Sequence, residues 1–380
     1  MEEWKECTVG DICSKITSGG TPKSSNSSYY NGSIPWLNTK EVNFNRIFST
    51  EKTITQDGYD NSSAKWIPEN SVIVAMYGAT AGRVAISKID LTTNQACCNL
   101  IIDSSKADYQ FVYYHLYNSY THLSSLANGG AQQNLNANQI REYPIKLPPL
   151  PTQQKIAAIL SSLDDKIELN NKINTNLEQQ AGVIFKNFSE KSSKSVKFTD
   201  LIYILGGGTP KTHNEDYWNG NIPFFTPKDV GNPYCLLTEK TITESGLDNC
   251  NSRLYPVNTI FVTARGTVGK ISLAGLPMAM NQSCYALKSK DDNQLLAYFY
   301  TLEAINSLKH KANGATFDAI VTRDFETETI NVLSEQYTKE FTQIVKPIFE
   351  KILTNQKENI NLSNLRDTLL PKLMNEEIFK

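Results

Sequence analysis

The chain contains a long internal repeat, which limits the architectures that it can adopt. Residues 19–42, GGTPKSSNSSYYNGSIPWLNTKEV, return as residues 207–230, GGTPKTHNEDYWNGNIPFFTPKDV, with 13 of 24 positions identical. Residues 51–55 recur unchanged at 239–243, and 78–86 match 266–273 after the loss of one residue. Repeats of solenoid proteins span roughly 20–50 residues, whereas this period is close to 185 residues. The sequence therefore predicts a domain-sized module that is present twice.

The composition is that of a folded protein with room for two cores. Of 380 residues, 40% are hydrophobic and 20% are charged. No apolar run approaches the roughly 18–20 residues that span a bilayer, and the acidic N-terminus lacks a signal-peptide core. The seven cysteines show no CxxC spacing, so we expect reduced thiols, no metal site and a cytoplasmic location.

The net charge of −2 restricts any nucleic-acid hypothesis. Neutralisation of phosphates supplies much of the affinity of DNA-binding domains, and such domains are usually basic when they act alone. A DNA-binding function would therefore require local concentration of cations, or a partner that supplies positive surface.

The repeat and the proline-rich and polar boundaries predict four segments. Module 1 covers residues 1–150, a helix follows over 151–190, module 2 covers 191–333, and a second helix covers 334–380. Within module 1, residues 71–77 and 96–102 are β-prone runs, and 109–126 is predicted to be a helix. The pattern indicates an α+β fold with two repeated α/β modules.

Both long helices carry an apolar seam with steps of four and three residues, which is the a/d pattern of a coiled coil. Two asparagines interrupt each seam at equivalent positions, Asn170 and Asn174 in the first helix and Asn355 and Asn359 in the second. A polar residue in such a seam fixes register. An antiparallel pair would place Asn170 opposite Asn359 and Asn174 opposite Asn355, and a parallel pair would match them equally well. Chain connectivity favours the antiparallel pair, in a rod with one module near each end. The alternative is that each helix packs only on its own module.

No catalytic motif stands out in either copy. In the segment GGTPK, proline occupies the place before the lysine that a phosphate-binding loop gives to glycine. The four histidines have no metal or triad spacing, and residues 164–166 are interpreted as a solvated helix face. A duplicated enzyme is expected to show its catalytic residues twice, so the sequence favours a noncatalytic chain.

Several motifs together resemble a known family. They are Trp4 with residues 9–12 (VGDI), the GGTPK…YYNGSIPW block, GATAGRVAI at 78–86, residues 94–95, the run LPPLPTQQKIAAILSSLDDKIELNNKIN from residue 147, and LRDTLLPKLMNEEI at 365–378. Their combination, over nearly the whole chain, resembles the specificity subunit of type I restriction–modification systems. The second copy departs from the pattern because it lacks a tryptophan equivalent to Trp4 and has LSEQYTKEF in place of the proline-rich leader.

The resemblance implies two target recognition domains separated by two long antiparallel coiled-coil helices, and a bipartite site on double-stranded DNA. It implies two methyltransferase subunits and two restriction subunits as partners. S-adenosylmethionine, ATP and Mg would belong to those partners, and this chain would bind no cofactor itself. The partner subunits would direct adenine methylation or ATP-dependent cleavage at the recognised site, and could supply the missing cationic surface.

Comparison of the two copies suggests which residues would contact DNA. Cations shared by both copies are candidates for contacts to the DNA backbone, and polar positions that differ are candidates for base contacts. The backbone candidates are Lys23, Lys40, Arg83, Lys211, Lys228 and Lys270. The base candidates are Ser25, Tyr77, Gln132, Gln133, Asn134, His213, Arg265 and Thr316. The shared GGTP residues are expected to form a turn scaffold, and the shared Asn-Gln pairs at 94–95 and 281–282 to form buried caps or turn bonds.

Two other function classes remain open on the sequence alone. A scaffold that grips two copies of a protein partner would suit the near-neutral charge. An enzyme of unknown type is disfavoured because neither copy of the repeat contains a recognisable catalytic motif.

Overall fold

The computed structural model of the chain describes residues 4–127, 134–192, 194–231, 233–311 and 319–375. The chain forms two compact units. Unit 1 comprises Met1–Asp165 with Leu362–Lys380, and unit 2 comprises Lys166–Asn361. Each unit therefore contains one copy of the repeat and a part of each long helix.

Unit 1 is a mixture of short strands and helices. Its strands are β1 Lys5–Thr8, β2 Cys13–Ser18, β3 Tyr30–Leu37, β4 Asn45–Ile47, β5 Lys52–Ile54, β6 Trp66–Ile67, β7 Val72–Ala75, β8 Val84–Ser87, β9 Leu91–Thr93, β10 Cys97–Ile102 and β11 Pro144–Leu147. Its helices are α1 Gln56–Asp60, α2 Tyr109–Asn118, α3 Tyr120–Leu126 and α4 Ala137–Arg141, and the long helix α5 Leu150–Ser189 follows them.

The strands of unit 1 form two main sheets. One has the order β2-β10-β7-β8-β4, the other has the order β5-β3-β9-β6, and β1 pairs separately with β11. Most neighbours are antiparallel, but β3–β9 and β4–β8 are parallel. Strand β10 shows how the sheet separates two cores, because successive side chains point to opposite faces. Cys97 lies in a core with Leu37 and Ile73, while Cys98 lies in the larger core with Phe111.

Unit 2 repeats this topology. Its strands are β12 Lys194–Lys197, β13 Ile202–Gly206, β14 Trp218–Phe225, β15 Tyr234–Cys235, β16 Lys240–Ile242, β17 Ile260–Thr263, β18 Ile271–Ala274, β19 Ala279–Met280, β20 Cys284–Ser289 and β21 Thr329–Val332. Its helices are α6 Phe198–Leu201, α7 Glu244–Asp248, α8 Gln294–Lys311 and α9 Thr322–Glu326, and the long helix α10 Glu335–Met374 follows them. The order β13-β20-β17-β18-β15 reproduces the first sheet of unit 1, and β16-β14-β19 reproduces the second sheet without its strand β6, in whose place Tyr255 and Met278 form an isolated bridge.

The shared asparagines of the repeat have a backbone reason. Asn31 and Asn219 both have φ of 61°, and Asn70 and Asn258 have φ of 65° and 69°. Asparagine tolerates this left-handed region better than most residues other than glycine. The asparagines shared by the two copies therefore preserve backbone turns that both units contain.

The long helices pair antiparallel in unit 2. Asn170 donates a hydrogen bond of 2.8 Å to Asn359, and Asn355 donates one of 2.8 Å to Asn174. A parallel pair could not bring both contacts together. The predicted α+β fold with two repeated modules and antiparallel long helices is thus confirmed.

Two local predictions need correction. The helix predicted over 109–126 is divided at Ser119 into α2 and α3. The segment 164–166 is not simply a solvated face, because only 12% of the Asp164 side chain is exposed and its carboxylate pairs with Arg366 at 2.6 Å.

Unit 1 contains a histidine that should make its stability depend on pH. Burial lowers the pKa of His115 from 6.5 to about 4, against the opposing effect of its hydrogen bond to the Pro144 carbonyl. The unfolded chain therefore takes up this proton first as the pH falls, so the stability present above pH 6.5 is lost toward pH 4. The ring is partly exposed, and we expect a loss of about 1 kcal/mol between pH 7 and pH 5.

The measurement is the free energy of unfolding of unit 1 at both pH values, for the parent chain and His115→Gln. The variant should lose this part of the pH dependence. Unit 2 provides an internal control, because its equivalent residue is Tyr300, whose hydroxyl accepts a 3.0 Å hydrogen bond from the Leu333 amide. An unchanged pH profile in His115→Gln would contradict the assignment.

Candidate functional site

In both copies the GGTPK segment forms a braced loop. In unit 1 the indole nitrogen of Trp36 donates to the Gly20 carbonyl at 2.9 Å, and the Tyr30 hydroxyl donates to the Pro22 carbonyl at 2.7 Å. In unit 2 the indole nitrogen of Trp218 donates to the Lys211 carbonyl at 3.3 Å. The expected scaffold role of the loop therefore has a structural basis, since side chains of the following strand hold its backbone.

The first glycine of each loop is required by a close approach of two backbone segments. A Cβ on Gly19 would lie 1.8 Å from the Thr93 carbonyl oxygen, and one on Gly207 would lie 2.2 Å from the Asn281 carbonyl oxygen. Contacts below 3.0 Å are essentially never made by a Cβ. The loop is thus pressed against the turn that carries the shared Asn-Gln pair.

The Asn-Gln pair divides into a capping residue and an exposed residue. The Asn94 side chain accepts a hydrogen bond from the Ala96 amide at 3.1 Å, and that of Asn281 accepts one from the Ser283 amide at 3.0 Å. The expectation of turn bonds is therefore right for the asparagines. It is incomplete for Gln95, which is exposed.

Each exposed glutamine is joined to the threonine of its loop. The Thr21 hydroxyl donates to Gln95 Oε1, and the Thr209 hydroxyl donates to Gln282 Oε1. With Oε1 engaged in this way, each amide nitrogen can still donate to a ligand at the surface. Sequence comparison contained the signal, because both members of the pair are identical in the two copies, but it could not show that residues 74 positions apart meet.

Two base candidates of unit 1 lie together beside this glutamine. Tyr77 and Asn134 form an antiparallel bridge, and the Leu135 amide donates to the Met76 carbonyl at 2.7 Å. The Met76 amide in turn donates to the Ala96 carbonyl at 2.8 Å, next to Gln95. We call the resulting surface loop edge 1, which consists of Thr21, Lys23, Tyr77, Gln95 and Asn134.

Unit 2 has an equivalent surface with different chemistry. The Ala264 amide donates to the Ser283 carbonyl at 2.8 Å, and the Ile320 amide donates to the Ala264 carbonyl at 2.9 Å. These bonds place Arg265 where unit 1 has Tyr77. We call this surface loop edge 2, which consists of Thr209, Lys211, Arg265 and Gln282. Both Tyr77, at 44% exposure, and Arg265 face solvent.

The shared cations fall into different environments. Lys40 forms an ion pair with Glu51, and the hydrogen bond and charge of Glu51 raise the lysine's pKa. Lys228 pairs equivalently with Glu239 at 3.3 Å. The identity of these lysines in the two copies is therefore accounted for by an internal ion pair.

The other shared cations are better placed to contact a ligand. Lys23 and Lys211 are exposed on the braced loops. Arg83 donates to the Asn43 side chain at 2.7 Å, whereas the equivalent Lys270 is exposed. Lys23 and Lys211 are thus the backbone candidates that combine a fixed main chain with an exposed ammonium group.

The remaining base candidates are not assembled by the structure. Ser25 and His213 are exposed and follow the lysine of each loop by two residues. Gln132, Gln133 and Thr316 lie outside the described residues.

Neither loop edge has the groups of a metal or acid–base centre. Within the described residues, no cluster of three or more His, Cys, Asp or Glu could hold a metal ion. Burial raises the pKa of the Cys235 and Cys284 thiols to about 12, so these cysteines are not activated nucleophiles. No helix in the described parts of the chain is long and apolar enough to cross a membrane. The loop edges instead offer hydrogen-bond donors and cations on fixed turns, which suits a binding surface.

Comparisons with known proteins agree with a duplicated binding protein. The family model for the type I restriction modification DNA specificity domain matches residues 1–179 and again residues 190–363. The type I restriction enzyme MjaIX specificity subunit of Methanocaldococcus jannaschii is 25% identical, over 99% of this chain and 94% of its own length. The type I restriction enzyme HindI specificity subunit of Haemophilus influenzae is 23% identical, over 100% of both chains.

A solved structure shares the fold. The crystal structure of the type I restriction-modification system S subunit from M. genitalium has a TM-score of 0.58 to this chain, with 18% identity. The match covers 98% of this chain and 96% of that chain.

Proposed function

The chain belongs to the family of type I restriction–modification DNA specificity domains, and on that premise we propose that it reads a bipartite DNA site, one half-site with each module. The recognition modules are residues 1–150 and 191–333, and the helices at 151–190 and 334–380 set the spacer between the half-sites. The chain itself is noncatalytic. It directs adenine methylation, or ATP-dependent cleavage, by partner subunits in the cytoplasm.

One observation carries this proposal: the two loop edges have the same frame and different exposed residues. Thr21–Gln95 and Thr209–Gln282 are identical pairs on equivalent turns. The adjacent exposed position is Tyr77 in one copy and Arg265 in the other. Contacts to DNA phosphates position a protein without regard to sequence, and contacts to base edges specify the sequence. A constant frame with a variable residue is what two half-sites of different sequence require.

The residues of each loop edge then have separate roles. Lys23 and Lys211, with the amide nitrogens of Gln95 and Gln282, are proposed to hold the DNA backbone in the same way in both half-sites. The base contacts are proposed to come from Tyr77 and Asn134 in unit 1, and from Arg265 in unit 2. An arginine can donate two hydrogen bonds to guanine in the major groove.

The proposal requires partners. Two methyltransferase subunits would carry S-adenosylmethionine, and two restriction subunits would use ATP and Mg. The net charge of −2 supports this assignment, because the chain alone has little excess of positive charge with which to neutralise phosphates. Cationic surface on the methyltransferase subunits would neutralise the DNA phosphates that this chain leaves without a counter-ion.

The alternative is a scaffold that binds two copies of a partner and does not read DNA itself. One experiment distinguishes the DNA-reading function from the scaffold. Methyltransferase subunits are incubated with a random-sequence duplex library, with and without this chain, and the bound DNA is sequenced. The proposal expects enrichment of one bipartite motif only when the chain is present. Equal enrichment without the chain, or binding with no motif when it is present, would favour the scaffold.

Lys23 provides a test of the backbone contact. Lys23→Gln should weaken binding to every sequence and lower the slope of log K against log salt by about one, since one counterion fewer is released. The measurement is fluorescence anisotropy of the complete complex on specific and nonspecific duplexes at several salt concentrations. Lys40→Gln is the matched control, because its ammonium group already pairs with Glu51, and it should change the slope less. An unchanged slope in Lys23→Gln would contradict the contact.

A further inference from the structure

The helix-pairing region of unit 1 contains a buried charged layer that unit 2 lacks. In unit 1, Arg366 of α10 pairs with Asp164 of α5 at 2.6 Å, and each side chain is only 12% exposed. The same guanidinium donates to the Tyr117 hydroxyl at 3.0 Å, and the Tyr114 hydroxyl donates to Asp164 at 2.6 Å. Burial, and then the charge of Asp164, raises the pKa of Tyr114, so this hydroxyl stays protonated and donates. The layer is a closed polar network.

Unit 2 has apolar residues at the equivalent positions. The long helices repeat with an offset of 185 residues, so Arg366 corresponds to Ala181, and Asp164 corresponds to Phe349. Ala181 and Phe349 are 0% and 1% exposed and belong to the same core cluster. The charged layer of unit 1 is therefore replaced by a small and a large apolar residue in unit 2.

Because the two long helices are similar, more than one pairing of helices is possible. Helices α5 and α10 share the spacing of the seam and its two asparagines, so α5 could also pair with α5 of a second copy. The asparagines do not prevent this. In such a pair, centred as in unit 2, Asn170 would face Asn174 of the second copy, and the polar match would be kept.

The charged layer distinguishes pairing of α5 with α10 from pairing of either helix with its own copy. If α5 paired with α5 of a second copy, Asp164 would contact Ala181 of that copy. If α10 paired with α10 of a second copy, Arg366 would contact Phe349 of that copy. Each charge would then be buried without its counter-ion, which is strongly unfavourable. Pairing of α5 with α10 avoids both mismatches, because it joins Asp164 to Arg366 and Ala181 to Phe349.

We propose that the Asp164–Arg366 pair selects the helix partner, so that α5 pairs with α10 and homotypic pairing between two copies of the chain is rejected. The asparagines set the register, and the ion pair sets the identity of the partner. Specificity of this kind arises from penalising the alternatives rather than from strengthening the native contact. This selection of the helix partner does not require that the chain binds DNA.

The test uses the full chain with Asp164→Phe and Arg366→Ala combined. These substitutions copy the apolar layer of unit 2 into unit 1, so that homotypic pairing no longer buries an unpaired charge. Two differently tagged copies are co-expressed, and the capture of one copy with the other is measured with light scattering on the purified material. We expect capture to rise about tenfold or more over the parent chain, since buried unpaired charges no longer oppose the dimer.

Crosslinking identifies which helices have paired. The register of unit 2 places Lys172 and Lys357 at the same level of the helix pair, and both are exposed. Homotypic pairing would instead place Lys172 opposite Lys172 of the second copy. In a mixture of ¹⁴N- and ¹⁵N-labelled chains, an amine crosslinker should join Lys172 to Lys357 within the parent chain. The double variant should add mixed-isotope links from Lys172 to Lys172.

A second variant keeps the test decisive if the first does not fold. Ala181→Arg with Phe349→Asp copies the charged layer into unit 2, so that both units have the same layer at this level, and this variant should also permit homotypic dimers. The charge reversal Asp164→Arg with Arg366→Asp keeps the two units different and should stay monomeric. If either equivalent-layer variant folds and shows neither increased capture nor Lys172–Lys172 links, or if the parent chain shows these links, the proposal is overturned.

Discussion

Replacing Arg366 with alanine is expected to lower the free energy of unfolding of unit 1 by about 3–5 kcal/mol. The substitution leaves the Asp164 carboxylate, which is only 12% exposed, without its counter-ion. It also removes the donor to the Tyr117 hydroxyl. Loss of one member of a buried ion pair is costly mainly because the other charge remains desolvated. The measurement is the urea unfolding of the full chain, with hydrogen exchange used to assign the transition to unit 1.

Two controls separate the buried charge from a general effect of losing an arginine. Lys40→Ala breaks an exposed ion pair with Glu51 and should leave stability essentially unchanged. Combining Asp164→Phe with Arg366→Ala should restore most of the loss, since well-packed apolar residues can replace a buried ion pair. If Arg366→Ala costs no more than Lys40→Ala, the buried network does not have the importance that its geometry indicates.

Gly19→Ala is expected to disable loop edge 1. Its Cβ would lie 1.8 Å from the Thr93 carbonyl oxygen, so the loop or strand β9 must move. Overpacking of this kind costs about 1–3 kcal/mol in stability. The displacement should also separate Thr21 from Gln95 and lower affinity for a specific duplex by about tenfold or more, because a 1.4 kcal/mol loss is tenfold.

The matched control is Gly182→Ala in helix α5, where an added Cβ meets nothing within 4 Å. That variant should gain about 0.5–1 kcal/mol in stability, because alanine favours the helix more than glycine does. Affinity for the complete complex on a specific duplex, and thermal unfolding of the chain, are measured for both variants. Gly19→Ala with parent-like affinity and stability would show that the close approach is not required.

The elements with strong periodic or repeated patterns could be predicted from the sequence. The sequence predicts the long helices at 151–190 and 334–380, and they lie at Leu150–Ser189 and Glu335–Met374. The heptad pattern and the two asparagines per helix contain enough local information to define the seam. The choice of antiparallel pairing came from connectivity, and the hydrogen bonds of Asn170 and Asn174 agree with it.

Features that depend on contacts between distant residues could not be predicted. The neighbouring sequence predicts that Asp164 lies on an exposed charged face, because no residue near it in the sequence indicates its contacts with Arg366 and Tyr114. The hydrogen bond between Thr21 and Gln95 likewise cannot be predicted from local sequence, because the two residues are 74 positions apart. Comparison of the two copies reduces this difficulty, since a pair that recurs in both copies marks a contact to be sought.

Sequence comparison also treated all shared cations alike. The structure separates them by their surroundings. Lys40 and Lys228 have acidic partners in Glu51 and Glu239, which also recur in both copies, so shared identity has a structural cause there. Lys23 and Lys211 stand on braced loops and are exposed. A shared charge is therefore a good candidate for a DNA contact only after its internal partners are known.

Modular reading of DNA is tested most directly by mapping methylated adenines with Arg265→Ala and Tyr77→Ala in the assembled methyltransferase complex. Arg265→Ala should relax the preference in one half-site by about ten- to a hundredfold, the loss of one bidentate base contact, and leave the other half-site unchanged. Tyr77→Ala should alter only the opposite half-site. Equal relaxation of both half-sites by either variant, or an unchanged motif in both, would contradict recognition of separate half-sites by the two modules.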